Sequence, residues 1–430
     1  MRISFIRKTI MICFAALILY LWHMQCIQGP RYIELSQKNR IRLVSLAAPR
    51  GNIYDKNNNL LVGNRIAFDC AVIPQEFPSD DETFQKLNSI LRIPADVLKK
   101  KIKENTAASF IAVTFKKDIG KEAAIAISER SMDIPGLIIR TYPVRYYPGG
   151  NTGSHVMGYL GKISEEELCA LRDYGYKVRD FMGRGGLELI YDDYLRGEEG
   201  GIQTEVDSRG RELKVLGIRE PKKGKDITLT IDMDMEKYID SLLDGYQGAV
   251  IVMDSQSGEI LSLISKPDFD PNIFVSHGNA SSIRELLKRK DYPLVNRTIS
   301  GTYPPGSVFK IVTASAGLGL GKIKTSEQLG CKGFYIIGNR RFNCWKSSGH
   351  GFQAITEGIK NSCNVFFYQL GLRVGAAKLA DYASKYGFGK PSGIDLPYES
   401  SGIVPTRAWK RREKKESWFD GDTANYSIGQ

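Results

Sequence analysis

The chain has 430 residues, of which 42% are hydrophobic and 25% charged, with 43 glycines and 17 prolines. This composition is typical of a globular protein and excludes a disordered chain or a collagen-like repeat. At roughly 100–200 residues per domain, the length predicts two or three folded units. The formal net charge of +12 favours an anionic neighbour such as phospholipid or a wall polymer, and we do not expect nucleic acid as a partner.

The first predicted element is an apolar segment, residues 9–27, that contains no formally charged side chain. As a helix it is long enough to cross about 30 Å of hydrocarbon. Two arginines and a lysine lie within residues 1–8, so the positive-inside rule predicts a cytoplasmic tail there and places the rest of the chain outside the cytoplasm. A cleaved signal peptide is the alternative, but Met24-Gln25-Cys26-Ile27 has no small-residue cleavage site. We therefore predict a single-pass protein of the cytoplasmic (inner) membrane.

Residues 28–224 are predicted to form the first unit outside the membrane. Short alternating apolar runs, such as 68–73 and 136–140, are separated by amphipathic helical stretches, such as 94–104. This region lacks a cluster of nucleophile, base and orienting side chain. We expect it to act as a spacer or docking unit.

Residues 225–430 are predicted to form a second unit that begins with strands. An apolar run at 227–231 is followed by two more, at 249–253 and 260–264, joined by the sequence Asp-Ser-Gln-Ser-Gly. That linking sequence favours a turn, so the two later runs predict a β-hairpin.

The first candidate catalytic motif lies where a buried helix is predicted, at 307–316, after a proline-containing loop at 302–306. Ser307 and Lys310 are three residues apart and therefore share one face, which allows the lysine amine to take the hydroxyl proton. This Ser-x-x-Lys sequence occurs once in the chain and is typical of serine acyl-enzymes. The alternative is a helix-capping serine and a surface lysine. The apolar residues beside Lys310 favour a buried, neutral amine.

A second motif is Ser362-Cys363-Asn364, the one Ser-x-Asn sequence in the chain. Ser362 can relay a proton between Lys310 and a leaving amine, and Asn364 can hydrogen-bond a substrate amide or fix the lysine. Alone, the motif would be interpreted as a helix cap. Together with Ser-x-x-Lys, it favours a catalytic function.

The cysteines and histidines do not predict a metal site. Five of the seven cysteines have no neighbour at a spacing typical of a disulfide framework: Cys13, Cys26, Cys70, Cys169 and Cys363. Cys331 and Cys344 are predicted to form either a hairpin disulfide or two buried free thiols, and both alternatives remain open. The four histidines show no metal-ligand spacing among themselves or with the cysteines. We expect no metal and no cofactor, and a structural or substrate-lining role for His350.

With these motifs in this order, the chain resembles the class B penicillin-binding proteins over nearly its whole length. Further sequences that carry the resemblance are Pro-Arg-Gly-Asn-Ile-Tyr-Asp at 49–55, Gly-Gly-Leu-Glu at 185–188 and Tyr-Pro-Pro-Gly at 303–306. Cys344-Trp345 and the ending at 421–430 are most similar to the elongation branch of the class. The division-specific branch is the alternative.

The resemblance implies an α+β fold: a transmembrane helix, an elongated pedestal of the dimerisation type with an inserted head, and the N-terminal part of a transpeptidase fold. It implies a serine D,D-transpeptidase that cross-links peptidoglycan stem peptides in cell elongation and shape maintenance. The implied partners are D-Ala-D-Ala stem peptides, β-lactams, a SEDS-type glycan polymerase and elongation scaffold proteins. A β-lactamase or carboxypeptidase, a β-lactam sensor and a non-catalytic membrane scaffold are the alternatives.

The resemblance also implies residue roles: Ser307 is the nucleophile, Lys310 the base, Ser362 the proton relay and Asn364 a substrate-binding residue. The family's third motif, Lys-Thr-Gly or Lys-Ser-Gly, does not occur before Gln430. We therefore expect a chain truncated before that motif. Loss of one oxyanion donor with it would lower the rate by about 10²- to 10³-fold.

Overall fold

The computed structural model describes residues 2–31, 41–78, 80–104, 112–131, 133–177, 180–207, 212–276 and 278–430. These residues form two compact units. The first comprises Met1–Asp244, Val252–Leu263 and Asp268–Asp291, and the second comprises Gly245–Ile251, Ile264–Pro267 and Tyr292–Gln430.

The chain begins with helix α1, Arg2–Trp22, which continues as a π-helical turn at His23–Ile27. Within the described residues, the window Ile10–Ile27 has a mean hydropathy of 2.0, and none of it is buried against protein. Apolar side chains exposed along such a helix need lipid, and its length suffices to cross a bilayer. The segment fits the predicted single-pass membrane anchor.

The first unit is built mainly from one antiparallel sheet, one mixed sheet in which Ile227–Thr228 pairs with Ile53–Tyr54 in parallel, and short helices. Its strands are β1 Ile41–Leu46, β2 Ile53–Tyr54, β3 Leu60–Val72, β4 Val113–Lys116, β5 Leu137–Tyr146, β6 Leu160–Lys162, β7 Phe181–Gly183, β8 Gly200–Val206, β9 Glu212–Arg219 and β10 Ile227–Thr228. Its further helices are α2 Asp81–Leu91, α3 Ala95–Glu104, α4 Lys121–Ser131, α5 Ser154–Met157, α6 Glu165–Leu171, α7 Gly186–Ile190, α8 Asp192–Leu195, α9 Met233–Leu242, α10 Asn272–Val275 and α11 Ala280–Lys288.

Strand β3 organises the larger sheet. That sheet runs β10-β2-β3-β4, and β5 also pairs with β3. The antiparallel β3–β5 register extends from Gly63↔Tyr146 to Val72↔Leu137. The smaller sheet has the order β1-β8-β9. Helices α2, α3 and α4 cover the far end of β3 around an apolar core in which the Phe77 ring meets Phe84 and Phe115 edge-on at 5.5 and 5.8 Å.

Two of the family-typical sequences meet in a buried charge network. Arg50, from the 49–55 sequence, lies 2.8 Å from both Glu188, in the 185–188 sequence, and Asp192. Arg145 on β5 lies 2.5 Å from Glu188, and both side chains are 0% exposed. Arg145 also donates to the Gly51 carbonyl at 2.6 Å. These ion pairs join β5, α7, α8 and the loop before β2, so they hold the first unit together.

Glu188→Ala is expected to destabilise the first unit by about 3–5 kcal/mol, because it leaves two buried guanidinium groups without their shared carboxylate. Urea denaturation of detergent-solubilised protein should show this as a lower midpoint. The matched control is Glu198→Ala, which removes a carboxylate that pairs with Arg219 and Lys222 at the surface. An unchanged midpoint in Glu188→Ala would contradict a structural role for the network.

The hairpin predicted after residue 248 is confirmed. Strands β11 Gly248–Met253 and β12 Ile260–Lys266 form a two-stranded sheet. In the connecting turn, the Asp254 carboxylate accepts hydrogen bonds from the backbone N–H groups of Gln256 and Ser257, each at 2.8 Å. This Asx-type turn is what the linking sequence predicts.

The second unit is mainly helical around one apolar core. Its helices are α12 Lys310–Gly319, α13 Ile355–Lys360, α14 Asn364–Val374, α15 Ala376–Lys385, α16 Arg407–Trp409 and α17 Asp420–Ser427, and its short strands are β13 Leu329–Cys331, β14 Phe334–Ile337, β15 Arg340–Asn343 and β16 Gly351–Gln353.

Helix α14 is the centre of this unit. Phe366, Phe367 and Leu370 are fully buried and pack with residues of α12, α15 and α17. Helix α17 approaches α14 so closely at Gly371 that a Cβ atom there would lie 2.3 Å from the Ser427 Cβ. Only glycine fits this contact. The contact fixes the position of α14, and with it the N-terminal end of that helix.

Candidate active site

Ser307 lies in a single 3₁₀ turn, Gly306–Phe309, that leads directly into α12 at Lys310. The sequence placed the helix start at Ser307, and the structure places the α-helix three residues later. A 3₁₀ turn brings residues i and i+3 onto the same side even more directly than an α-helix. The Lys310 Nζ therefore lies 3.2 Å from the Ser307 Oγ.

Lys310 is buried by tertiary contacts, not by its neighbours in sequence. Val308 and Ile311 are 68% and 51% exposed, whereas Lys310 itself is 2% exposed. Its Nζ lies 5.8 Å from the centre of the Phe367 ring on α14. Burial lowers the pKa of Lys310 below the ordinary lysine value, because desolvation disfavours the charged amine.

The second motif closes the site from the other side. Lys310 Nζ lies within hydrogen-bond distance of the Ser362 carbonyl (2.8 Å), the Ser362 Oγ (3.0 Å) and the Asn364 Oδ1 (2.6 Å). The Ser362 Oγ in turn donates to the Ser307 Oγ at 3.0 Å. All four residues predicted from the two motifs therefore meet in one network.

The backbone around the second motif is specialised. Ser362 has φ +47°, a left-handed conformation that costs energy in a residue other than glycine. Cys363 is the N-cap of α14, and its Sγ accepts a hydrogen bond from the Phe366 N–H at 3.4 Å. The strained residue and the cap together aim both Ser362 and Asn364 at Lys310.

This arrangement can activate a nucleophile. Ser307 is exposed, so a substrate can reach its hydroxyl, whereas Lys310 is buried and favours the neutral form. A neutral amine beside a serine hydroxyl can take its proton as the oxygen attacks. The Ser362 hydroxyl touches both atoms, so it can carry that proton onward.

A second cluster of polar side chains lies directly behind the Ser362 motif. The sulfurs of Cys331, Cys344 and Cys363 and a ring nitrogen of His350 all lie within 4.8 Å of one another. The His350 Nδ1 is 3.7 Å from the Cys331 Sγ and 3.6 Å from the Cys344 Sγ, and the Cys344 and Cys363 sulfurs are 3.9 Å apart. We call these four residues the thiol cluster.

The linear spacing of the histidines and cysteines predicted no metal site, whereas the structure brings these four residues together. The strands between 331 and 344 and the loop around His350 bring distant positions into contact, and this cannot be read from linear spacing. Within the described residues every cysteine is a free thiol, so the structure shows free thiols at Cys331 and Cys344, not a disulfide. The signal in the sequence was the concentration of three cysteines and one histidine within 331–363.

The thiol cluster fits a zinc ion. Three thiolates and one imidazole are a common tetrahedral ligand set for structural zinc. Bond lengths of about 2.3 Å to sulfur and about 2.0 Å to nitrogen imply ligand atoms separated by about 3.8 Å for sulfur pairs and about 3.6 Å for sulfur–nitrogen pairs. The Cys344–Cys363 and His350 distances agree closely with these values.

Comparisons with known proteins match two consecutive parts of the chain. Residues 45–229 match the penicillin-binding protein dimerisation domain, and residues 248–430 match the penicillin-binding protein transpeptidase domain. The peptidoglycan D,D-transpeptidase MrdA of Escherichia coli K12 is 34% identical over 428 residues, which are 98% of this chain and 68% of that protein. MrdA of Acinetobacter baumannii is 34% identical over 432 residues, which are 100% of this chain and 64% of that protein.

Solved structures of penicillin-binding proteins are similar to this chain as well. The complex of penicillin-binding protein 2 with MreC from Helicobacter pylori has a TM-score of 0.79 and 29% identity, covering 91% of this chain and 73% of that one. A peptidoglycan synthase complex that coordinates polymerization and crosslinking matches with a TM-score of 0.71 and 28% identity, over 100% of this chain and 74% of that one. The predicted α+β fold and family are confirmed: the chain belongs to the class B penicillin-binding proteins, the peptidoglycan D,D-transpeptidases, and is similar to penicillin-binding protein 2.

Proposed function

We propose that this protein cross-links peptidoglycan stem peptides in cell elongation and shape maintenance, through an acyl-enzyme on Ser307. The observation that carries the proposal is the network in which Lys310 lies 3.2 Å from Ser307 and holds Ser362 and Asn364 within 3.0 Å. Family membership supplies the substrate class, and the network supplies the chemistry.

The first step is acylation. As the Ser307 Oγ attacks the carbonyl between the two terminal D-alanines, Lys310 takes the hydroxyl proton. The C–N bond then breaks, and the departing D-alanine amine receives that proton through the Ser362 hydroxyl. The product is an ester between Ser307 and the donor stem peptide.

The second step transfers the acyl group to an amine of a neighbouring stem peptide. That amine attacks the ester carbonyl, its proton passes to Lys310, and Ser307 recovers a proton as it leaves. Asn364 holds the acyl peptide by hydrogen bonds to its amide. A β-lactam follows the first step, but its leaving amine stays tethered after ring opening, so the enzyme stalls as the acyl ester.

The thiol cluster, Cys331, Cys344, His350 and Cys363, would hold zinc, which would supply structural stability beside the site and no step of the reaction. Cys363 lies between Ser362 and Asn364, so a fixed sulfur fixes both motif residues.

The organisation that we propose is a cytoplasmic tail at 1–8, a membrane span at 9–27, a pedestal at 28–224 and a transpeptidase domain at 225–430. The N-terminus would lie on the cytoplasmic side of the inner membrane, and the catalytic domain would lie in the periplasm or outside. A SEDS-type glycan polymerase and elongation scaffold proteins are the proposed partners. The MreC complex of the Helicobacter pylori relative and the peptidoglycan synthase complex support this assignment.

The test supplies a D-Ala-D-Ala stem peptide and an acceptor amine to protein expressed from the complete reading frame. Mass spectrometry of the products should show free D-alanine together with a donor–acceptor amide. Hydrolysed donor without amide would favour a carboxypeptidase. Folded protein that releases no D-alanine would favour the non-catalytic scaffold.

Asn364→Ala is expected to lower the rate of penicillin acylation by roughly 10- to 100-fold. It removes the 2.6 Å contact to Lys310, and leaving a buried polar group without its partner costs about 1–3 kcal/mol. Asn361→Ala, three residues earlier, is the matched control, because its side chain lies outside the network. Equal rates in the two variants, measured by stopped-flow or quenched labelling, would remove Asn364 from the site.

A further inference from the structure

The thiol cluster has a chemical property that its structural role does not use. A structural zinc site can also be built from histidine and carboxylate ligands, which do not oxidise. Here three of the four ligands are thiols, and the proposed compartment is one in which thiols are readily oxidised. Cys70 is also buried, but it belongs to the apolar core of the first unit and not to the thiol cluster.

We propose that the thiol cluster is a redox-sensitive modification site with two mutually exclusive states. In one state zinc is bound by all four residues. In the other, Cys344 and Cys363 are joined by a disulfide, the metal is absent, and acylation of Ser307 is suppressed. This inference goes beyond the proposed transpeptidase function, because the disulfide can be measured whether or not the protein is active.

The contact between their sulfurs favours Cys344 and Cys363 as the pair. Their sulfurs are in contact at 3.9 Å, and a disulfide bond of about 2.05 Å requires them to approach by about 1.8 Å. Cys344 follows β15 and Cys363 precedes α14, and a backbone shift of that size is within reach of a loop. The Cys331 Sγ lies within 4.8 Å of both sulfurs and, like the Cys344 Sγ, contacts the His350 Nδ1, so a bond that includes Cys331 is the competing product.

The same movement reaches the active site. The Cys363 Sγ caps α14 through the Phe366 N–H, and a sulfur drawn toward Cys344 weakens that bond. Ser362, the preceding residue, holds a strained left-handed conformation, which persists only while its surroundings enforce it. Its carbonyl and hydroxyl both contact Lys310. Moving Cys363 therefore disturbs the base and the relay together.

Hydrogen peroxide is a sufficient oxidant. Cys344 is the more exposed residue of the pair, at 7% against 0% for Cys363. Its sulfur attacks one peroxide oxygen, the O–O bond breaks, and a sulfenic acid and one water result. The Cys363 sulfur then attacks the Cys344 sulfur and expels the second water. The two cysteines together lose two electrons and two protons. Zinc would not bind this form, because two of its four ligands would no longer be thiolates.

The experiment uses the detergent-solubilised protein with Cys13, Cys26 and Cys169 replaced by serine, since these three are exposed. Zinc-loaded and chelator-treated samples are exposed to hydrogen peroxide. Free thiols are counted after denaturation, linked peptides are mapped by mass spectrometry, zinc is quantified, and fluorescent-penicillin labelling is measured in parallel.

We expect the chelator-treated sample to lose two thiols, to yield a Cys344–Cys363 linked peptide and to label at least tenfold more slowly until dithiothreitol restores it. The zinc-loaded sample should keep its thiols and its label. Cys344→Ser should prevent the bond, whereas Cys70→Ser should leave it unchanged.

Three results would overturn the proposal. They are four intact thiols after peroxide treatment without zinc, a bond at Cys331 in place of Cys344–Cys363, or an oxidised protein that labels as fast as the protein with free thiols. Equal oxidation with and without zinc would disprove the exclusivity of the two states. If no sample labels but the disulfide forms as expected, the proposed transpeptidase function fails and the redox chemistry stands.

Discussion

Ser307→Ala is expected to abolish covalent labelling by a fluorescent penicillin, with a loss of about 10⁴-fold or more in acylation rate. Removing the nucleophile of a set of cooperating catalytic residues lowers the rate by a factor of this order, because no other atom can form the acyl bond. In the structure, the Ser307 Oγ is the exposed oxygen that the Lys310 amine contacts. Labelling is measured in protein expressed from the complete reading frame.

The control for this variant is Ser326→Ala, which removes an exposed serine in a turn of the same unit. It should label at the parent rate. Both variants should keep the parent thermal melting profile, since Ser307 is exposed and contributes little to the core. Persistent labelling of Ser307→Ala would show that another residue is the nucleophile.

Lys310→Ala is expected to lower the acylation rate by about 10²- to 10⁴-fold, the range for loss of a positioned general base. Lys310→Arg should fare no better, because a guanidinium keeps its proton and cannot act as a base. Rates are obtained by quenched labelling across a series of pH values. Lys324→Ala, at an exposed position in the same unit, is the matched control.

The pH profile distinguishes a base from a merely structural lysine. Burial lowers the pKa of Lys310, and only the neutral amine can accept the Ser307 proton. The acylation rate should therefore rise with pH through a midpoint below 10.5, the ordinary lysine pKa, and the rise should be absent in Lys310→Ala. If that variant keeps the rising limb, the base lies elsewhere.

The two candidate motifs could be located from the sequence because their geometry is local. Ser307 and Lys310 share a face by spacing alone, and Ser362-Cys363-Asn364 needed only the beginning of a buried helix, which the structure has at Asn364. The amphipathic stretch 94–104 is confirmed as α3, Ala95–Glu104. The strand expected at 227–231 is shorter, Ile227–Thr228, because its one partner is the two-residue strand β2.

The tertiary contacts themselves could not be predicted, even where their result was. The burial of Lys310 comes from Phe367 and the second motif, and two of the apolar neighbours that suggested it, Val308 and Ile311, are exposed. The pairing of Arg50 with Glu188 joins positions far apart in sequence. The thiol cluster likewise depends on loops whose paths no periodicity encodes.

The central claim is that Ser307 forms the acyl-enzyme, and the most direct measurement is the site of a penicillin adduct. Protein expressed from the complete reading frame is incubated with benzylpenicillin, weighed intact, and digested with trypsin, which releases residues 298–310 as one peptide containing Ser307. One adduct per chain, with the added mass on Ser307, is the predicted result. An adduct on another residue, or a folded protein that takes up no penicillin, would contradict the account.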